Sequence, residues 1–341
     1  MKKIILLFLI VMLLTGCGKK EEKRVLNVLN WSSYIPSSVI TDFEKETGIK
    51  VNYMTYSSNE ELLAKISMAK DGTYDLIFPS DYMVEIMISR GVIEPIDKDK
   101  LNNVDNLDIE YMDMSYDPGN LYTLPFIATS TVISINREFI KDEIKSYNDL
   151  LNPKYKDEIV LIDDQRIIIG MALLANGFDM NSTNTTELRI AKNWLLKLKD
   201  NVKAYDSDSP KNFLISKEAS LAVLWNAEGA LASLENNQIE NVFPIEGTAL
   251  STDNFAIPKG AKNKKELYEF IDYILRPEVM AEIIDFYPYK CINTMSYSYF
   301  GDDYKNNLAA NFSNEIVKNG HFVKNIGSSI SLYDKLWAEI K

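Results

Sequence analysis

Histidine and cysteine, on which much enzyme and metal chemistry depends, are almost absent from this chain. Its 341 residues include one histidine, His321, and two cysteines, Cys17 and Cys291. A Ser/His/Asp or Cys/His relay would have to run through His321, and Cys/His zinc or iron–sulfur clusters lack enough ligands. We therefore predict a protein that is not an enzyme and that holds no metal and no cofactor.

One enzyme-like pattern does occur, since Ser67-x-x-Lys70 formally matches a motif of penicillin-recognising serine enzymes. Ser67 and Lys70 fall in a segment with the periodicity of an amphipathic helix, and no Lys-Thr-Gly motif follows it. The match is therefore interpreted as part of a surface helix.

The charge balance is acidic, with 37 basic and 49 acidic side chains and a formal net charge of -12. This charge opposes binding to the phosphate backbone of nucleic acid. It suits a cationic ligand, although solubility alone makes many proteins acidic. The hydrophobic fraction of 46% is that of an ordinary globular protein.

The N-terminus has the features of an export signal. Two lysines precede an unbroken apolar run from Ile4 to Leu14, which is too short to span a bilayer. The following Thr15-Gly16-Cys17 resembles a bacterial lipobox, in which the cysteine is lipidated and becomes the new N-terminus. We predict a signal peptide over 1–16 and a lipid-anchored, charged tether over 17–24. A plain secretory signal with a chance cysteine is the alternative.

Strand and helix patterns alternate from residue 25 onward. Strands are predicted at 25–30, 49–55 and 74–79, with helices between them at 36–47 and 59–69. This order predicts right-handed crossovers and a parallel sheet covered on both faces. Ligands of such sheets usually bind at the carboxyl ends of the strands.

Further strands and helices are predicted over the rest of the chain. The strands are at 121–126, 132–135, 159–162, 202–205, 221–225, 242–244 and 255–257, and the helices at 165–176, 187–198, 210–216, 228–236, 264–275 and 279–286. So many strands favour two sheets over one. Because no flexible linker is visible, we expect two lobes joined by extended crossing strands.

A set of motifs, in order along the chain, resembles the spermidine/putrescine-binding proteins of ABC transporters. The motifs are at 30–36, 43–51, 74–82, 124–126, 148–156, 163–164, 224–226, 255–258 and 275–279. The resemblance implies an α/β, two-lobed periplasmic-binding-protein fold, each lobe a mostly parallel sheet flanked by helices, with the ligand cleft between the lobes. It also implies lobe boundaries, with 25–128 and 254–300 in the first lobe and 129–253 and 301–341 in the second.

A cleft that binds a polyamine needs carboxylates for the ammonium groups and flat apolar walls for the methylenes. Aromatic rings supply such walls and add cation–π attraction. The resemblance implies the following ligand-binding residues: Trp31, Ser32, Tyr34, Ser80, Asp81, Tyr82, Asp164, Trp225, Glu228, Asp253 and Tyr287. Glu228 matches an acid of the putrescine-type members.

Six of these residues also have a structural interpretation. The two tryptophans could be ordinary core residues at strand ends, and Asp253 could be a loop acid. Asp164 and Asp81 could cap the helices that follow them. Glu228 could stabilise the first turn of its helix through the helix dipole.

The sequence departs from the family pattern at four positions of the implied site. Ser33 and Ile167 stand where many members have acids, Ser251 where a tryptophan is usual, and Val323 where spermidine-type members have glutamine. One end of the ligand site thus loses charge and stacking surface, which leaves the identity of the polyamine open.

The prediction is a lipid-anchored, extracytoplasmic protein that captures putrescine or spermidine and delivers it to an ABC permease with its ATPase. We expect a monomer that contacts the membrane through its anchor and binds no nucleic acid. A binding protein for another small cationic solute and a ligand-sensing lipoprotein are the alternatives.

Overall fold

A computed structural model of the chain describes residues 24–32 and 34–341. The predicted signal peptide, the lipidation site Cys17, most of the tether and Ser33 lie outside the described residues.

The described residues form twelve strands, named β1 to β12 in chain order. They are Val25–Trp31, Lys50–Tyr56, Leu76–Ile77, Ile93–Glu94, Thr123–Asn136, Ile159–Leu161, Val202–Tyr205, Leu221–Trp225, Ile239–Val242, Ala249–Pro258, Lys290–Cys291 and His321–Phe322. The α-helices of the same residues, named α1 to α12, are Ser37–Thr47, Asn59–Met68, Asp81–Arg90, Gln165–Ala175, Thr185–Leu198, Lys211–Ile215, Asn226–Glu235, Lys264–Ile274, Pro277–Phe286, Asp302–Lys305, Asn314–Asn319 and Ile330–Ile340.

The first half of the chain builds a parallel sheet around β1. Strand β1 pairs in parallel with β2 on one side and with β3 on the other. Helix α1, which connects β1 to β2, ends at Gly48, whose φ of 71° is in the left-handed region that glycine adopts at little steric cost. The predicted strand–helix alternation and its parallel pairing are thus confirmed.

The second lobe repeats this arrangement around β6, which pairs in parallel with β7 and with β8. Helices α4 and α5 bury their apolar faces against it, with Ile168, Leu173, Trp194 and Leu195 all 5% exposed or less. Each lobe therefore has its own parallel trio of strands and its own apolar core.

Two long antiparallel strands, β5 and β10, connect the lobes. Strand β5 has 14 residues, all of them buried, and it pairs first with β10 and then with β8 and β9. The hydrogen-bonded order is β2-β1-β3-β10-β5-β8-β6-β7. The expectation of two separate sheets is therefore wrong, as are the two short strands predicted at 121–126 and 132–135, because one continuous strand belongs to both lobes.

The two largest clusters of buried apolar side chains lie on either side of this crossing. Phe43, Phe78 and Phe270 belong to the cluster of the first lobe, and Tyr147 and Tyr333 to that of the second. The predicted lobe boundaries stay a prediction.

Candidate functional site

A cleft lies where the carboxyl ends of both parallel trios meet. Trp31 ends β1, Ser80 follows β3, Asp164 follows β6 and Trp225 ends β8, and all four side chains line it. The cleft encloses about 1090 Å³ of empty space, including its opening to solvent. Its position agrees with the expectation for open α/β sheets.

Most of the residues predicted to bind ligand are brought together here. Those that line the cleft are Trp31, Ser32, Tyr34, Ser80, Tyr82, Asp164, Trp225, Glu228 and Asp253. Asp81 and Tyr287 do not line it. Tyr287 packs at the edge of the first core against Phe286, while Tyr289, two residues later, faces the cleft. Contact of any of these residues with a ligand stays a prediction.

The carboxylate of Asp253 is at the floor of the cleft and is 2% exposed. Strand β10 shifts its register against β5 directly after this residue, and such a bulge can redirect a side chain. Oδ1 accepts a hydrogen bond of 2.6 Å from the Ser80 hydroxyl, and Oδ2 accepts one from the Tyr34 hydroxyl. Burial raises the pKa of Asp253 to about 6.

Asp81 is a second buried carboxylate, one layer behind the cleft surface and also 2% exposed. Its Oδ1 accepts a hydrogen bond of 3.0 Å from the hydroxyl of Ser251, which does line the cleft. Its Oδ2 accepts from the backbone N–H of Thr252 at 3.3 Å. Burial raises the pKa of Asp81 to about 7, and the neighbouring Asp253 charge adds to the shift.

No lysine or arginine of the described residues pairs with either carboxylate. Hydroxyl groups surround the carboxylates instead. Above about pH 7 for Asp81 and about pH 6 for Asp253 the carboxylates are ionised and only accept hydrogen bonds, so the protons of Tyr34, Ser80 and Ser251 then point toward the acids. At the cleft rim, the hydroxyl of Tyr82 donates in the same way to Glu60 at 3.1 Å. These oxygens can therefore offer only lone pairs to a ligand, which suits a ligand rich in N–H donors.

Asp164 caps a helix and also lines the cleft. Its Oδ1 accepts from the backbone N–H groups of Arg166 at 2.8 Å and Ile167 at 3.1 Å, so it caps α4 as its structural interpretation predicted. The same carboxylate lines the cleft, and burial raises its pKa.

Glu228 lies in the first turn of α7 and also lines the cleft. Its Oε2 is buried without a hydrogen-bond partner among the described residues, and burial raises its pKa. A buried acceptor in this state gains free energy from any donor that reaches it.

Aromatic rings form the apolar walls of the cleft. The Trp31 ring is fixed by a hydrogen bond of 3.0 Å from its Nε1 to the Phe78 carbonyl oxygen and by packing against Tyr56 at 4.5 Å between ring centres. Tyr34 and Tyr289 pack together at 4.9 Å. Trp31 is therefore held by core neighbours and is still partly open to the cleft.

The lining has far more acid than base. Its acidic members are Glu60, Asp163, Asp164, Asp208, Glu228 and Asp253, against one cation, Arg166, among the described lining residues. The Arg166 Nη2 donates to Asn181 Oδ1 at 2.9 Å and to the Lys324 carbonyl oxygen at 3.0 Å. Arg166 is thus engaged with the second lobe, and the cleft as a whole favours cations.

Three of the positions that depart from the family pattern, Ile167, Ser251 and Val323, also line the cleft. The analysis of motifs overlooked other members of the lining. Glu60 and Asp163 each follow the carboxyl end of a predicted strand, and that position was the signal that could have identified them.

Residues 24–32 and 34–341 contain neither a membrane-spanning helix nor a metal-binding cluster. No helix there is both long and apolar enough to cross a membrane. No group of three or more His, Cys, Asp or Glu side chains there could hold a metal ion.

The sequence matches a family model described as bacterial extracellular solute-binding protein over residues 38–311. The chain belongs to this family. It is 36% identical over 322 residues to the spermidine/putrescine-binding periplasmic protein of Escherichia coli, a match that covers 94% of this chain and 92% of that protein.

Solved structures agree with this family assignment. One from Listeria monocytogenes, described as a spermidine/putrescine ABC transporter, superposes with a TM-score of 0.88 at 34% identity, covering 93% of this chain and 98% of that one. A lipoprotein of Treponema pallidum has a TM-score of 0.85 at 26% identity, with coverage of 93% and 99%. The resemblance found in the motifs is confirmed, and so is the two-lobed α/β fold of this solute-binding protein.

The buried acids predict a pH dependence of stability. Asp81 and Asp253 hold protons in the unliganded folded state up to about pH 7 and 6, whereas in the unfolded chain they release them near their ordinary value of 3.8. Their contribution to the free energy of unfolding is therefore largest below pH 4 and is lost as the pH rises to 7. Replacing both with asparagine should make the variant more stable relative to wild type at pH 7.5 than at pH 4.5, by roughly 5 kcal/mol.

Urea denaturation of the unliganded protein at both pH values measures this difference. The surface acids are the same in both proteins, so their contribution to the pH dependence of unfolding cancels when the variant is compared with wild type. A difference that is constant, or that shrinks with rising pH, would show that the two carboxyl groups are already ionised in the folded state at low pH.

Proposed function

We propose that this protein binds a polyamine, putrescine or spermidine, outside the cytoplasm and delivers it to an ABC permease. The observation that carries the proposal is the buried Asp253 carboxylate, which has no cationic partner among the described residues and whose hydrogen-bond donors are hydroxyl groups. A protonated amine that reaches it would supply the missing positive charge. The polyamine-binding relatives support the same ligand class.

The rest of the cleft suits a chain with more than one ammonium group. Asp164 and Glu228 come from the second lobe and offer carboxylate oxygens away from Asp253. Trp31 and Trp225, which end strands of opposite lobes, offer flat surfaces for methylene groups and for cation–π attraction. An anionic solute would meet six acidic side chains and one arginine.

Ligand contacts with both lobes would couple binding to closure. A ligand stabilises a closed form only if it interacts more favourably with that form, and contacts with one lobe alone cannot do this. Side chains of the two lobes already approach each other at the rim, where the Arg166 guanidinium lies 5.9 Å from the Tyr82 ring centre. In this proposal the closed form is what the permease recognises, and the protein itself catalyses no reaction.

A second candidate is a different small cationic solute. Ile167, Ser251 and Val323 make one part of the cleft wall neutral and without a large ring. A quaternary ammonium or another organic cation with a single charge would not need a charged or aromatic group on that part of the wall.

We further propose that Cys17 is lipidated and tethers the protein to the membrane. The lipobox-like Leu14-Thr15-Gly16-Cys17 supports this, and a structural relative is described as a lipoprotein. An extracytoplasmic protein held in this way would stay close to its permease.

Replacing Cys17 with serine should abolish incorporation of a labelled fatty acid during expression in a bacterium with the lipoprotein pathway. Cys291→Ser is the matched control and should label normally, because Cys291 is partly buried within the fold. Equal labelling of Cys17→Ser and wild type would contradict the anchor and leave the binding function untouched.

The ligand class is tested by thermal unfolding of the purified protein with candidate solutes. Putrescine, cadaverine or spermidine should raise the melting temperature by mass action, whereas glycine betaine, neutral amino acids and sugars should not. Asp253→Asn should lose roughly a hundredfold in polyamine affinity, because an ammonium would then face a neutral amide.

The unliganded Asp253→Asn protein should melt no earlier than wild type at pH 7.5, since an unpaired buried acid has been removed. No shift with any polyamine at millimolar concentration would contradict the proposed function. Normal binding combined with earlier melting would mean that Asp253 has a structural role only.

A further inference from the structure

Asp81, the second buried carboxylate, lies behind the wall of the cleft and not on it. Asp81 begins α3 and directly follows Ser80. Ser80 donates a hydrogen bond to Asp253, and Asp81 accepts one from Ser251, so this short segment contacts both cleft residues of β10. Asp81 does not face the cleft, but the hydroxyl group that it holds does. No cation of the described residues balances its charge.

Ser251 and Asp253 are two residues apart on β10, so their side chains leave the strand on the same face. Their backbone positions are roughly 6.6 Å apart at the ordinary rise of a strand. That spacing is comparable with the separation of two nitrogens joined by three or four methylene groups. Both side chains line the cleft.

We propose that Ser251, positioned by Asp81, is a second nitrogen-binding position, which takes the protonated nitrogen next along the chain from the one that Asp253 binds. The inference rests on the proposed function and names the part of the ligand that this site recognises. Asp81 acts through Ser251 and is a positioning residue.

The direction of the Ser251 hydroxyl carries this inference. Because its proton is donated to Asp81 Oδ1 at 3.0 Å, its oxygen presents lone pairs to the cleft and accepts from an ammonium group. The carboxylate behind it adds negative potential in a region where water does not screen it. Ser251, a neutral residue of the cleft wall, can in this way bind a cation.

A purely structural role for Asp81 explains less of its geometry. The N-cap residue of α3 is Ser80, which makes no side-chain capping bond, and within α3 Asp81 accepts only from the N–H of Tyr82 at 2.8 Å. Its other two contacts are to Ser251 and Thr252 on β10. The carboxylate is therefore directed mainly at the strand that carries the cleft residues.

Calorimetry of the purified protein with putrescine and butylamine tests the proposal, because the two amines differ mainly in the second nitrogen. Ser251→Ala and Asp81→Asn should each weaken putrescine binding by about tenfold, the loss of one charge-assisted hydrogen bond. Butylamine binding, which needs only Asp253, should change less than twofold. Ser251→Thr keeps the hydroxyl and should bind putrescine as wild type does.

The double variant Asp81→Asn/Ser251→Ala should lose no more affinity than the weaker-binding single variant, because the two residues act as one unit. Equal losses for putrescine and butylamine, or unchanged putrescine binding by Ser251→Ala, would overturn the inference. Ser251→Ala decides this even where Asp81→Asn does not fold. Failure of wild type to bind either amine would instead overturn the proposed function, and this inference with it.

Discussion

The cleft is built around a carboxylate that is buried on a strand shared by both lobes. Asp253 is 2% exposed, and no lysine or arginine of the described residues pairs with it. Burying an ionised group without a counter-charge is unfavourable, so the unliganded protein compensates with two hydroxyl donors and a raised pKa. The same features favour binding of a cation, because the ligand would supply the counter-charge that the buried carboxylate lacks in the unliganded protein.

The architecture explains why the carboxylate is held so firmly. Strands β5 and β10 pass from one lobe to the other with all of their residues buried, and their register shift occurs next to Asp253. The parallel trios on either side direct the carboxyl ends of their strands at this point. Closure of the lobes would thus change the solvation of the central carboxylate as well as the width of the cleft. In this way ligand charge, desolvation and lobe movement become coupled.

Sequence patterns predicted the parallel alternation and the bounds of most helices, and the family resemblance implied nine of the residues that line the cleft. They did not reveal that one strand continues from Phe126 to Val132, because the polar residues between these positions interrupt the apolar pattern although they are paired with neighbouring strands and buried. They also did not distinguish Tyr287 from Tyr289, since periodicity does not fix the last turn of α9, which decides which ring turns to the cleft. Asp81 was predicted to bind the ligand, but its carboxylate lies behind the cleft surface. The direction of this side chain depends on the residue at which α3 begins, which the sequence pattern did not fix.

A crystal structure of the protein grown with putrescine would show directly whether Asp253 binds an ammonium group. We expect one ligand nitrogen within hydrogen-bonding distance of the Asp253 carboxylate and the methylene chain against the ring of Trp31 or Trp225. A putrescine molecule bound in the cleft with both nitrogens away from Asp253 would contradict this expectation, because the buried charge would then have a function other than binding an ammonium group.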